Sequence, residues 1–105
     1  MSSPTQRSLA QLRERGYQCH IVEYWNAFSR KRVDLFGIFD ILGVGNGETI
    51  AVQTTSRGNI SSRLTKITDS DKIGECRKAG WRVEIHGWDK APTSGRWRCK
   101  TVDVS

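Results

Sequence analysis

Two aspartates, Asp34 and Asp40, interrupt an otherwise apolar stretch, RVDLFGIFDILGVGNGETIAVQTTS, over residues 32–56. An unpaired carboxylate among apolar side chains is costly, so such a group is paired, hydrated or given a metal. Asn46-Gly47 lies between the two halves of this stretch, and both residues tolerate the positive φ of a two-residue type I′ hairpin turn. Gly45 then faces Glu48, and the same register sets Asp40 opposite Gln53. Opposed residues have Cβ atoms about 5 Å apart on one sheet face, and Thr55, two residues beyond Gln53, shares that face. Asp34 has the parity of Asp40 but in a continuous strand lies roughly 20 Å further along, too far to share a metal with it. The Asp40–Gln53 pair therefore has two readings. Asp40 is a structural hydrogen-bond acceptor, or the two residues give a carboxylate and a carbonyl oxygen to a divalent ion. Magnesium accepts one or two carboxylates plus waters and phosphate oxygens, so this sparse set would hold Mg²⁺ or Mn²⁺ weakly.

Positive charge surrounds the same stretch. Arg30, Lys31 and Arg32 stand just before Asp34, and the register pairs position 36 with Arg57, bringing Arg57 to that end of the hairpin. Such a rim holds phosphates without reading sequence; an ordinary polar loop is the plainer alternative. Arg63 and Lys66 are i, i+3 neighbours on one helix face. Glu23 could add a carboxylate, although a surface pair with an arginine explains it more simply. His20 and His86 have no ligand spacing and read as structural. The tryptophans of Gly80-Trp81-Arg82 and Arg96-Trp97-Arg98 suit the ends of a small core better than base-stacking surfaces.

The elements that must position these residues follow from periodicity. Residues 4–15 predict a helix started by Pro4 and Thr5, with Leu9 and Leu12 on its apolar stripe and Gly16 as its stop. Residues 17–25, β-branched and aromatic, predict one strand, followed by the basic loop NAFSRKR. Residues 33–44 and 48–56 are the hairpin strands. Residues 59–67 and 70–80 predict a helix broken near Thr68-Asp69, with Asn59 or Ser61 capping its first piece and Gly80 ending it. Residues 81–88 and 96–104 are two further strands around the loop DKAPTSG. The result is an α/β fold in one domain over residues 1–105: a mixed sheet flanked by helices, with an extra C-terminal strand.

Composition narrows the classes. The 105 residues carry a net charge of +6, which points to a polyanionic partner with nucleic acid first, or merely to solubility. No apolar run approaches the roughly 18 residues of a membrane helix, and the polar start MSSPTQRSLA is unlike a secretory signal. Cys19, Cys76 and Cys99 are odd in number and widely spaced, as expected of reduced thiols in a cytoplasm. Neither a membrane nor a small-molecule cofactor is expected as a partner.

The element order and the Asp40 register resemble the PD-(D/E)XK nuclease superfamily, the restriction-endonuclease-like proteins. In that αβββαβ core an Asp on the second strand faces an (Asp/Glu)-x-Lys on the third. Gly37-Ile38-Phe39-Asp40 matches the Gly-x-x-Asp form of the first part, and Gln53-Thr54-Thr55 occupies the place of the second. The chain looks most like small phage or prophage proteins of the superfamily, some of them Holliday-junction-resolvase-like. That resemblance implies the following.

The protein would bind DNA, branched DNA among the candidates, in the cytoplasm of a bacterial host. Asp40 and Gln53 would hold Mg²⁺ or Mn²⁺, and Thr55 or Ser56 would contact water or phosphate. Lys66 or Arg63 would replace the missing lysine, and Arg30, Lys31, Arg32 and Arg57 would dock the backbone. Resolvase-like activity would also require a homodimer. Gln53 and Thr55 depart from the acidic ligand and the lysine, which points to cleavage that is weak or lost. The rival expectation is a non-enzymatic interaction or inhibitor module on the same scaffold.

Overall fold

The computed structural model describes residues 3–105. Helix α1 (Pro4–Glu14) is capped by Ser3, whose hydroxyl accepts the Gln6 N–H at 3.2 Å. Strands β1 (Gln18–Ile21), β4 (Ile41–Gly45), β5 (Glu48–Ser56), β6 (Arg82–Lys90) and β7 (Trp97–Asp103) form one sheet in the order β1-β4-β5-β6-β7. Only the β5–β6 pairing is parallel, and its crossover contains a 3₁₀ turn (Arg57–Asn59), α2 (Ile60–Thr68) and α3 (Ile73–Lys78). Strands β2 (Tyr24–Asn26) and β3 (Lys31–Val33) make a separate hairpin. The mixed α/β architecture is the one expected. Among the described residues no helix is long and apolar enough to cross a membrane.

Alternation along the strands separates two cores. Ile41, Ile50 and Val52 pack with Tyr17 against Leu9 and Leu12 of α1. Phe39, Ala51, Val83 and Ile85 point the other way, against Ile67 of α2 and Ile73 and Cys76 of α3. Gly87 lets the crossover lie close to β6, because a Cβ there would collide with the Ile60 side chain and sit 3.1 Å from the Arg57 Cα.

The β4–β5 register is as the turn chemistry dictates: Gly45 faces Glu48 and Ile41 faces Val52, with Asn46 and Gly47 at φ 54° and 77°. The helix break also falls where expected, α2 ending at Thr68 with Asp69 as its cap residue. Asn59 occupies the N-cap position but makes no capping bond; its side-chain amide donates to Ser56 Oγ at 2.8 Å.

Two expected strands are broken, and both breaks matter. The 17–25 strand divides after Ile21: Val22 N–H still donates to the Asp40 carbonyl at 2.8 Å, then the chain leaves the sheet to form β2. The 33–44 strand does not exist as a continuous element. Phe36 and Gly37 take φ of 56° and 74°, Gly37 N–H donates to Asp34 O at 2.8 Å, and Leu35 and Phe39 exchange backbone hydrogen bonds of 2.9 and 3.1 Å. This tight turn reverses the chain, so Asp34 lies back over Asp40 instead of 20 Å along a strand. Phe36 adopts a backbone region that a bulky side chain rarely occupies. Its ring packs on Trp81 with centroids 6.2 Å apart, and Phe39 meets the same indole at 6.3 Å, which anchors the turn.

Candidate metal centre

The sheet opens beyond Ile41. Strand β4 ends there while β5 continues through Gln53–Ser56, leaving a fork whose floor is Asp40. Asp40 is 5% exposed and its Oδ2 accepts three hydrogen bonds: from Gln53 Nε2 at 2.6 Å, Thr54 N–H at 2.8 Å and Thr54 Oγ1 at 3.1 Å. Thr54 is held in turn by Thr5 of α1, hydroxyl to hydroxyl, at 2.9 Å. The side chain of Asp40 is thus fixed from beneath.

The backbone breaks bring two more acids to it. Glu23 follows the Val22–Asp40 hydrogen bond, and Asp34 begins the Phe36-Gly37 turn. One carboxylate oxygen from each of Glu23, Asp34 and Asp40 lies within 4.8 Å of the others. Burial and the negative charge of Asp34 push the Asp40 carboxyl up to about 7, against the opposing pull of the Thr54 N–H. Lys66 reaches in from α2, its Nζ 3.6 Å from Asp34 Oδ2. Arg32 reaches Glu23 Oε1 at 3.5 Å.

The other expected site residues are placed as follows. Gln53 does face Asp40, but its amide nitrogen points at the carboxylate; its Oε1 is buried without a partner, in a residue 2% exposed. An ionised carboxylate only accepts, so the N–H₂ end belongs there in the absence of a cation. The expected two-residue set, Asp40 with the Gln53 carbonyl, is not brought together in that orientation; the group that does converge is the three carboxylates of Glu23, Asp34 and Asp40, which could hold a metal ion. Thr55 lies buried on the α2 side and accepts from Arg63 Nε at 3.5 Å, so the two expected site residues meet each other. Arg57 does not join residues 30–32 through strand pairing, because the ladder stops at Ile41–Val52. It pairs instead with Asp89 at 3.9 Å. Arg30, Lys31 and Arg32 lie on the β2–β3 hairpin, between Glu23 and Asp34.

Beneath α1 lies a second polar cluster that sequence reasoning did not assemble. Glu84 accepts from Arg15 through both oxygens at 2.9 and 3.0 Å, from Arg82 at 2.8 Å and from His86 Nε2 at 2.9 Å. Ser8 Oγ joins His86 Nδ1 at 2.8 Å and accepts from Trp88 Nε1 at 2.9 Å. His86 is structural, as expected. Ser8, Glu84 and His86 have no exposed surface, so this Ser–His–Glu line is closed to any substrate. The period-2 spacing of Glu84 and His86 between Val83 and Ile85 was the available signal.

Compared with protein-family models, with curated proteins and with solved structures, the chain matches none.

Proposed function

We propose that the protein is a divalent-metal-dependent nuclease, hydrolysing phosphodiester bonds in DNA, on a scaffold resembling the PD-(D/E)XK superfamily. The observation that carries this reading is the convergence of Glu23, Asp34 and Asp40, with Lys66 against Asp34. The donor set fits a hard, oxygen-seeking dication such as Mg²⁺ or Mn²⁺. Three carboxylates share one small volume, burial and the negative charge of Asp34 hold Asp40 up to about 7, and the buried amide oxygen of Gln53 has no partner. Glu23, Asp34 and Asp40 would hold the ion, which when bound lowers the pKa of water and neutralises charge developing on phosphate oxygens.

The chain's own groups divide the remaining work. Thr54, locked by Thr5, keeps Asp40 in one rotamer. Lys66 is placed to donate to a phosphate oxygen or to orient a water, the task that a lysine at position 55 would have performed. Arg63 holds the Thr55 hydroxyl, and Arg30 and Lys31 offer charge to the strand backbone without selecting sequence.

A metal-free interaction module is the second reading, favoured by one observation: Asp40 Oδ2 already has three internal donors. Cleavage of linear, single-stranded and four-way-junction DNA in Mg²⁺ or Mn²⁺ separates the two. For the nuclease, Asp34→Asn lowers the rate by roughly 10²–10³-fold and Lys66→Met has an effect of similar size. Absence of cutting on all three substrates, with no anomalous density beside Asp40 in Mn²⁺-soaked crystals, establishes the metal-free module instead.

A further inference from the structure

The β2–β3 hairpin carries an unusual surface. Tyr24 and Trp25 are 57% and 61% exposed and Phe28, at the tip, is fully exposed, so three aromatic rings face solvent within five residues. Arg30, Lys31 and Arg32 follow directly. An ordinary hairpin does not leave its aromatic side chains in water, and exposed apolar clusters of this kind mark interaction surfaces. The tip is built to hold its shape: Asn26 Oδ1 accepts the N–H groups of Phe28 and Ser29 at 2.9 and 3.2 Å, and Arg30 takes φ 53°.

The hairpin is also continuous with the carboxylate cluster. Trp25 is directly opposed to Arg32, so their side chains share a face, and Arg32 contacts Glu23. Glu23 enters the hairpin and Asp34 leaves it. Beside it, between the hairpin and the start of α1, a cavity of about 320 Å³ is lined by Ser3, Thr5, Gln6, Ile21, Glu23 and Arg32. A face that runs from an exposed indole through a guanidinium to a metal-binding carboxylate matches a nucleic-acid strand, with bases on the ring and phosphates on the cations. Anionic membrane would meet the acids as well as the cations, and a neutral protein groove would leave the charges of Arg30 and Lys31 unanswered.

We infer that the hairpin stacks unpaired bases on Trp25 and Phe28, making single-stranded DNA, alone or as a strand emerging from duplex, the substrate class of the site. This rests on the reading of the cluster as a phosphodiester site and adds its selectivity. Bases held in a duplex already stack on each other and cannot cover the rings, whereas unpaired bases of any sequence can.

The test is binding by fluorescence anisotropy, with EDTA present so that no strand is cut, to labelled oligothymidylate, a flapped duplex and a blunt duplex. Trp25→Ala is expected to weaken the single strand and the flap by about 5- to 150-fold, the equivalent of losing one stacked base, with Phe28→Ala acting in the same direction. Blunt duplex binding stays unchanged, and Trp25→Phe recovers most of the loss. Both residues are solvent-exposed, so unchanged circular dichroism is expected alongside. Equal wild-type affinity for blunt duplex and single strand overturns the inference, as does single-strand affinity indifferent to Trp25→Ala. So does a dimer in sedimentation velocity that Trp25→Ala dissociates without changing DNA affinity, which would assign the rings to a second copy of the chain. Cleavage without preference for unpaired bases removes this inference and leaves the nuclease standing; Trp25-dependent binding without cleavage overturns the nuclease, and with it the substrate assignment, leaving only the stacking surface.

Discussion

Asp40 and Glu84 are both buried acids on the central sheet, and they face opposite fates. Glu84 lies under α1 with two arginines and a histidine on its oxygens. Burial acts to raise its pKa, but the hydrogen bonds from His86, Arg15 and Arg82 outweigh it and hold the carboxyl well below the usual range. Asp40, just before β4, has only neutral donors on its oxygen and two further carboxylates near it, and burial together with the negative charge of Asp34 pushes it up to about 7. One acid is finished by the protein. The other is positioned but has no cationic side chain on its oxygens, the condition that the proposed metal site requires.

The pH dependence of stability sets the two apart most sharply. Asp40 has a folded pKa above its unfolded value of 3.8, so its contribution is fully present below pH 3.8 and is lost as pH rises through about 7. In metal-free protein the loss is on the order of 4 kcal/mol. Thermal melts in EDTA should therefore decline from pH 4 to pH 7.5, and Asp40→Asn should flatten that decline. Mg²⁺ should raise the melting temperature at pH 8 but not at pH 5. A wild-type profile flat across that range would break the comparison. Glu84 has the opposite sign, contributing above its unfolded value of 4.5 and losing that contribution only as pH falls below it.

Next in size is Glu84→Ala. Arg15 and Arg82 are partly exposed and can turn to water, but His86 is fully buried and cannot. The expected cost is about 3 kcal/mol, the low end for breaking a buried charged network, read as a denaturant midpoint shift at unchanged m-value. A shift no larger than that of a surface substitution would show that the network braces nothing. The smallest effect belongs to Thr5→Val, which removes the 2.9 Å link between α1 and Thr54. About 1 kcal/mol is expected, and addition of Mg²⁺ should not recover it, because the bond lies behind Asp40 and not among the carboxylates.

The legible parts of the fold were those with local chemistry. Asn46-Gly47 dictates the turn, the turn dictates the register, and the register places Asp40 against Gln53. Asp34 was misplaced because the residue that bends the chain is Phe36, and nothing in a phenylalanine announces positive φ. Gly37, alone in an apolar run, was the signal of a possible break that strand periodicity overrode. Glu23 was hidden for a different reason. The chain leaves the sheet at Val22–Glu23 without a glycine or proline, so the departure is set by tertiary packing alone. Lys66 was legible as a basic residue on a helix, while its partner Asp34 was not. A carboxylate cluster drawn from residues in separate connections between strands has no linear motif to find.

The twelve-residue span from Glu23 to Asp34 encloses the whole β2–β3 hairpin. On the proposed reading both ends of one hairpin would be ligands of one centre, and the hairpin would act as a clasp. An ion that draws Glu23 and Asp34 together narrows the range of hairpin positions. By thermodynamic reciprocity, whatever grips the hairpin in that position tightens the ion by the same factor.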